Sequence, residues 1–254
     1  MNGIDAHCHI EYMDASVLDE AAKRISALVT SVANPADAEK TLAVATRHEN
    51  FVFVALGMHP DHAIETNDKT LTQYIDLIKK NKNRIVAIGE VGLDYHHMTD
   101  EKEKERSKDV FLHFIALANE LHLPLVIHSR NAMNDTFEFL RHAQVPVMMH
   151  CFDGNAEHLQ EALRRNYYIS FTAMIVRSEK YQKIAKRTPL ENMLLETDAP
   201  WLDPENPGEL MNRPWNIIKS AQTIAKIKSL TTEDVLQQTE KNTRKLFRLF
   251  EQQK

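Results

Sequence analysis

The chain has 254 residues, 43% hydrophobic and 26% charged, with 31 Lys and Arg against 36 Asp and Glu and a formal net charge of −5. This composition predicts a soluble globular protein rather than a disordered one. The acidic balance excludes sequence-blind gripping of duplex DNA through a broad basic face, which draws its affinity from counterion release. No apolar run approaches the roughly 18 to 20 residues that a membrane span needs. A polar motif starts at Asp5 with no signal-peptide core before it, which predicts a cytoplasmic protein. Cys8 and Cys151, each beside a histidine, fit a reducing compartment better than a disulfide framework.

Eight short apolar runs alternate with helix-like segments: residues 3–10, 27–33, 51–57, 85–93, 123–128, 145–151, 167–172 and 193–197. Strands alternating with helices predict a parallel sheet, and eight at the spacing of one βα unit predict an α/β protein, a (β/α)8 TIM barrel. The eight units use nearly the whole chain, so residues 1–254 are expected to form a single domain. Asn34-Pro35 reads as an N-cap with proline in the first helical position, and Asp68, Asn155 and Ser178 read as further caps. The longest helix is expected over 101–121, its charged opening a solvated face rather than a binding patch. An additional C-terminal helix, about 232–251, is expected to pack outside the barrel.

Barrel enzymes carry their sites at the C-terminal ends of the strands. Those ends are crowded here: Asp5, His7 and His9 on the first run, His59 after the third, Glu90 in the fourth, His128 on the fifth, His150 on the sixth and Asp198 after the eighth. Strand side chains alternate between faces, so Asp5, His7 and His9 are expected to share one face and Ala6 and Cys8 the other. Two imidazoles one step apart can chelate an ion, and the further ligand types at other strand ends point to a metal centre. Cys8 is then a buried, inert thiol. Cys151 is either structural or turned inward by a kink at the strand end. Glu90 is a carboxylate within an apolar run, where only a metal or an ion pair offsets the cost of burial. Asp198 raises the same question, whereas Glu196, set deeper, is expected to meet a buried basic group or an amide.

Seven motifs in order carry a resemblance: Asp5-x-His7-x-His9, Gly57-Met58-His59-Pro60, Gly89-Glu90-x-Gly92-Leu93-Asp94, Ile127-His128-x-Arg130, His150-Cys151-Phe152-x-Gly154, Glu196-Thr197-Asp198-Ala199-Pro200 and Asn212-x-Pro214. Together they resemble the TatD family of metal-dependent deoxyribonucleases, within the amidohydrolase superfamily. The resemblance implies two divalent metal ions (Mg, Mn or Zn), one held by His7, His9, Glu90 and Asp198, the other by Glu90, His128 and His150. It implies Asp198 and Glu90 as the catalytic carboxylates, with Asp198 acting on the water, and Asp5 as an outer support. The chain departs from the family at the loop 204–211, which carries Glu205 and Glu209 where a basic loop is usual, and at Phe171-Thr172-Ala173, where glycines are common.

A pair of divalent cations suits phosphodiester hydrolysis, because it acidifies a water and neutralises charge on the phosphate and the leaving oxygen. Arg130 and His59 are candidates to contact a phosphate or, alternatively, to form loop salt bridges; Arg177 and Arg213 are weaker ones. The activity implied is a 3′ to 5′ exodeoxyribonuclease acting on DNA, at single-stranded 3′ ends, with no membrane and no obligate protein partner. The alternative is an ester or amide hydrolase, such as a D-aminoacyl-tRNA deacylase or a small-molecule amidohydrolase, favoured by the acidic loop. A purely structural metal site is the least favoured, since such sites close with four ligands dominated by Cys and His.

Overall fold

A strand forms at each of the eight apolar runs, with β4 and β5 continuing past theirs: β1 (Ile4–Cys8), β2 (Ala27–Val32), β3 (Val52–Leu56), β4 (Ala87–Asp94), β5 (Leu125–Arg130), β6 (Val147–Met149), β7 (Tyr168–Phe171) and β8 (Met193–Leu195). The computed structural model describes residues 3–96, 98, 100–206 and 208–250. Every strand runs parallel to its neighbour in sequence, in the order β1 to β8. The ends of that order meet as well: the Thr197 and Asp198 amides donate to the His7 carbonyl at 3.3 and 3.0 Å, and the His9 amide donates to the Ala199 carbonyl at 2.8 Å. The expected TIM barrel is therefore the architecture found.

The helices are α1 (Ala15–Ala21), α2 (Ala38–Arg47), α3 (Pro60–Glu65), α4 (Asp68–Lys80), α5 (Glu101–Leu121), α6 (Met133–Phe139), α7 (Ala156–Arg164), α8 (Glu179–Arg187), α9 (Ile217–Lys228) and α10 (Thr232–Phe247). Asn155 and Ser178 cap α7 and α8 with their side chains, and Asn34 caps the short 3-10 turn that leads into α2. The expected cap at Asp68 is corrected. Asn67 caps α4, accepting from the Thr70 amide at 2.9 Å, and Asp68 is the first helical residue, where its charge suits the helix dipole. The closing helix ends at Phe247 rather than 251, with Arg248 in a left-handed conformation after it. Residue 251 lies outside the described residues. Among the described residues, no helix is long and apolar enough to cross a membrane.

Two apolar layers build the core. Ala27, Val29, Ala55, Ala87, Val126, Met148 and Leu194 fill the barrel's interior, and α10 contributes Leu246 and Phe247 to the same cluster. Leu28, Leu56, Ile88, Ile127, Met149 and Leu195 point outward and pack against helix residues such as Leu42, Ile78, Phe111 and Phe114. Each fully buried side chain of this size stabilises the fold by about 1.5 to 3 kcal/mol before conformational entropy is set against it. Packing on both faces leaves the polar residues of the strands concentrated at the C-terminal pole.

Candidate metal centre

Two local devices bring side chains into that pole. In β5, β6 and β8 simple alternation suffices: Val126, Met148 and Leu194 lie in the interior layer, and His128, His150 and Glu196 follow each of them by two residues. In β1 and β4 alternation is broken. The β1 pairing shifts register between Asp5 and Cys8, and although Ile4, Ala6 and Cys8 share parity, Ile4 and Ala6 belong to the interior layer and Cys8 to the outer one. The expectation that Ala6 and Cys8 share a face is therefore corrected, although Cys8 does lie away from the histidines, its thiol 3.7 Å from the Val29 carbonyl. The β4 pairing shifts between Ile88 and Val91, both of which pack outward despite opposite parity. Register shifts of this kind re-aim side chains beside functional sites, and here they turn His7 and Glu90 toward the cluster.

The Nε2 atoms of His7 and His9 face each other at 3.1 Å. Oδ1 of Asp198 lies 3.5 and 3.2 Å from them, and Oε2 of Glu90 lies 3.4 and 3.7 Å away. The other oxygen of Glu90, Oε1, is 2.8 Å from Nδ1 of His128 and 3.6 Å from Nε2 of His150. Glu90 thus divides its two oxygens between two pairs of imidazoles. Donor atoms of His7, His9 and Asp198, and of Glu90, His128 and His150, converge within 4.8 Å in each set. Mixed imidazole and carboxylate donors suit divalent ions from Mg to Zn, and the 3.1 Å spacing of the two ring nitrogens is compatible with both binding one ion at roughly 2.0 to 2.1 Å. The residues present fit the expected cofactor.

Each imidazole is held by its remaining ring nitrogen. Nδ1 of His7 is 3.1 Å from the Ser31 hydroxyl, and Nδ1 of His9 donates to the Ser31 carbonyl at 2.7 Å. Nε2 of His128 donates to Asp94 at 3.0 Å, and Nδ1 of His150 to Glu196 at 2.6 Å. Such partners fix ring orientation and leave the opposite nitrogen facing the metal position. Ser31 and Asp94 were not among the site residues expected from sequence, whereas Glu196, expected to meet a buried basic group or an amide, meets both in the His150 ring and the Cys151 amide. Asp94 stood in a quoted motif, and a serine inside the apolar run 27–33 was the available signal for Ser31. Asp5 is fully buried, but its carboxylate accepts from the Thr197 hydroxyl and amide and from the His7 amide, so it fixes the backbone joining β1 to β8 rather than a ring. Gly92 completes the support: a Cβ there would lie 1.9 Å from the His128 carbonyl, and its φ of +150° is rare for other residues.

Charge in the pole is tightly balanced. Burial opposes the charged form of His7, yet the charge of Glu90 and the bonds to Asp198 and Glu90 outweigh it and hold the ring at about 9. His9 is raised in the same way, against burial, by Asp198 and Glu11, and His128 is pushed up to about 10 by Asp94 and Glu90. Burial alone would raise the carboxyl of Glu90, but His150 and His7 keep it well below the usual range; His7 and His9 do the same for Asp198. Burial raises Asp5 well above the ordinary carboxyl value, Thr197 offsetting only part of the effect. A divalent cation in this pole competes with the protons that the rings otherwise carry.

Around the cluster lies a pocket of about 360 Å³ that includes His59, Arg130, Tyr12 and Trp201. His59 caps α3, its Nδ1 accepting from the Asp61 amide at 3.3 Å, which places its proton on Nε2. Burial and the neighbouring His128 push that ring down to about 4, so it is neutral at pH 7. Arg130 ends β5, on the wall of the same pocket. Arg177 donates to the Asp203 carbonyl at 3.3 Å, and Arg213 donates to the Asn212 carbonyl at 2.9 Å. The acidic loop is anchored elsewhere: Glu205 pairs with Lys219 on α9 at 2.7 Å. Cys151 has a φ of +40°, its amide donates to Glu196 at 2.6 Å, and it borders a second pocket at the cluster.

A parallel barrel with four imidazoles and two carboxylates converging at its C-terminal pole is built as a metal-dependent hydrolase. The family described as TatD related DNase matches residues 4–248, and the chain belongs to that family. It is 36% identical to Deoxyribonuclease TATDN3 of Homo sapiens, covering 96% of this chain and 94% of that protein. It is 33% identical to the metal-dependent hydrolase MJ1582 of Methanocaldococcus jannaschii, covering 96% of each. Among solved structures it resembles YJJV, a TatD homolog from Escherichia coli K12, with a TM-score of 0.85 and 25% identity over 97% of this chain and 98% of that one. The family expected from the seven motifs is the one found, and the chain is a metal-dependent hydrolase acting on ester bonds.

Proposed function

We propose that the protein is a 3′ to 5′ exodeoxyribonuclease that removes nucleotides from single-stranded DNA ends, with two divalent ions held by His7, His9, Glu90 and Asp198 and by Glu90, His128 and His150. The observation that carries this reading is the division of Glu90, one oxygen toward His7 and His9 and the other toward His128 and His150. A carboxylate placed so would help to hold both ions, which when bound would supply an acidified water and charge neutralisation for the phosphate and leaving oxygen.

The chain's own groups then have separate tasks. Asp198, ionised and beside both His7 and His9, accepts a hydrogen bond from the water and orients it. His59 and Arg130 line the pocket, where the Nε2 proton of neutral His59 and the guanidinium of Arg130 would each donate to a phosphate oxygen. Asp94, Glu196 and Ser31 hold the rings through the chemistry. The deoxyribonuclease named among the relatives supports DNA as the substrate. The acidic loop lends the ester or amide alternative less support than its sequence suggested, because Glu205 is engaged by Lys219. Both cysteines are unpaired, in keeping with a cytoplasmic setting.

The test uses a single-stranded oligonucleotide labelled at its 5′ end, with metal-stripped protein and with protein reloaded with Mg, Mn or Zn. A ladder shortening from the 3′ end, only after reloading, is the expected result. Full activity in stripped protein, cuts scattered inside the strand, or hydrolysis of an aminoacyl-tRNA with the DNA left whole would each overturn the reading.

A further inference from the structure

Resting on the nuclease reading above, we infer that a second pocket beside the metal cluster receives the base of the 3′-terminal nucleotide. This pocket has a volume of about 340 Å³ and is walled by Cys151, Met174, Tyr181 and Leu202. It shares His128, Arg130, His150 and Asp198 with the pocket that contains Tyr12 and Trp201. The cluster is therefore approached from two sides. A phosphodiester has two substituents, so a scissile phosphate at the cluster places one nucleoside on each side.

The turn after β8 separates the two sides. Trp201 and Leu202 are consecutive, yet Trp201 lines one pocket and Leu202 the other. Trp201 packs edge-on against His9 at 5.1 Å and against Tyr12 at 4.9 Å. Tyr12 is 46% exposed, so that side opens to solvent along a path a continuing strand can follow. On the other side Cys151, Met174, Tyr181 and Leu202 are all half-buried, less open than Tyr12, which suits a group that goes no further. Its apolar wall, with the ring of Tyr181 and the thioether of Met174, suits the flat face of a nucleobase, and stacking of this kind tolerates any base.

Three residues of this pocket have left-handed backbone: Cys151, Asp198 and Leu202 have φ values of +40°, +58° and +57°, a region unfavourable for a residue with a Cβ. The Cys151 backbone is held there by Glu196, the carboxylate that also holds His150, so the pocket wall and the metal cluster share one support.

The test crosses two enzyme variants, Tyr181→Ala and Leu202→Gly, with three single-stranded oligonucleotides: intact, lacking the 3′-terminal base, and lacking the penultimate base. For the wild type, loss of the terminal base should lower kcat/KM about tenfold, the scale of one base stacked on an aromatic ring. Each variant should lose about as much on the intact strand and nothing more on the strand without its terminal base, while the penultimate gap costs all three proteins alike. Leu202→Gly relaxes the backbone, so its melting temperature should hold or rise, which separates a lost wall from a damaged fold. Equal losses by the variants on all three strands, or variant losses that vanish on the strand without the penultimate base rather than on the strand without the terminal one, overturn the pocket assignment and leave the nuclease reading intact. A metal-loaded wild type that cuts none of the three strands removes both.

Discussion

β5, β6 and β8 differ from β1 and β4 in how they deliver their residues to the pole. In the first group the interior layer continues upward by alternation, from Val126 to His128, from Met148 to His150, and from Leu194 to Glu196, with Asp198 following in a left-handed turn beyond β8. In the second group a register shift intervenes, between Asp5 and Cys8 and between Ile88 and Val91. The regular strands supply ligands at the cost of nothing more than a polar residue at the right place. The shifted strands supply His7 and Glu90, which sit at the centre of the cluster, and they need outside support to stay there. Asp5 bonded to Thr197 is that support for β1, and Gly92 packed against His128 is that support for β4.

The largest effect is expected from setting a carboxylate of a shifted strand against one that follows a regular strand. Glu90→Ala removes the group facing both imidazole pairs, so metal stoichiometry should fall with the rate, and added metal should recover little. Asp198→Asn keeps an oxygen near His7 and His9, so substantial metal should remain while kcat falls by ~10² to 10⁴, the usual value of assistance to the attacking water, with little change in KM. Metal analysis beside steady-state kinetics checks both. If Asp198→Asn loses metal as fully as Glu90→Ala, Asp198 is chiefly a ligand and the two carboxylates do not differ as described.

Next comes the support of β4. Gly92→Ala puts a methyl 1.9 Å from the His128 carbonyl, whereas a Cβ at Gly208 meets nothing within 4 Å. Gly92→Ala should cost about 3 kcal/mol or more and reduce metal affinity, because β4 and β5 must move apart at the cluster. Gly208→Ala, with only an unfavourable φ of +89° to accommodate, should cost about 1 kcal/mol and leave the metal in place. Denaturation curves and metal titration separate them, and similar losses for both would mean that positive φ, not the approach of the two strands, governs Gly92.

A pH titration compares the two groups of strands without mutation. In the metal-free protein His7 on a shifted strand and His128 on a regular one hold protons up to about 9 and about 10, against an ordinary value of 6.5. Both values are raised, so their stabilising contribution is fully present below about 6.5 and is lost as pH rises through 9 to 10. The melting temperature of metal-free protein should therefore fall from about pH 6.5 up to about 10, and metal affinity should rise from about pH 7 to 9 as fewer protons have to be displaced. Calorimetry in buffers of different ionisation enthalpy reads the protons released. Binding that releases none between pH 7 and 8 would show that neither ring is charged before metal arrives.

The barrel was legible in the sequence because its signal is local and repeated: eight β-branched runs at even spacing, with Asn155, Ser178 and Pro35 marking helix starts. Ligand-type residues at His128, His150 and Asp198 were legible because alternation and position at a strand end coincide there. The register shifts were not. Pairing depends on the neighbouring strand, so Ala6 read as the companion of Cys8 although the two pack in different layers. Which ring each partner holds was hidden for a related reason: Ser31 with His9, Asp94 with His128 and Glu196 with His150 are separated by 22, 34 and 46 residues, so Glu196 could be expected to meet a buried basic group or an amide but not His150 in particular. The cap at Asn67 was missed by one position because Asn and Asp both cap well, and the choice between them rests on which backbone is extended.

The smallest effect tests the shift in β1 directly. Cys8→Ala removes a thiol that packs beneath the helices, so it should cost on the order of 1 kcal/mol and keep activity within several-fold. Ala6→Val adds two methyl groups at a fully buried position inside the barrel, one residue below His7. It should cost about 1 to 3 kcal/mol and displace the His7 ring enough to weaken metal binding. Strict alternation would place both residues on the outer face, where both changes would act through helix packing alone and leave the metals undisturbed. The shifted strand instead predicts that stability and metal affinity fall together for Ala6→Val and separately for Cys8→Ala, which loses a little stability and no metal. Metal titration of the two variants at matched folded fractions distinguishes these outcomes, and an unchanged affinity in Ala6→Val would return β1 to the regular class.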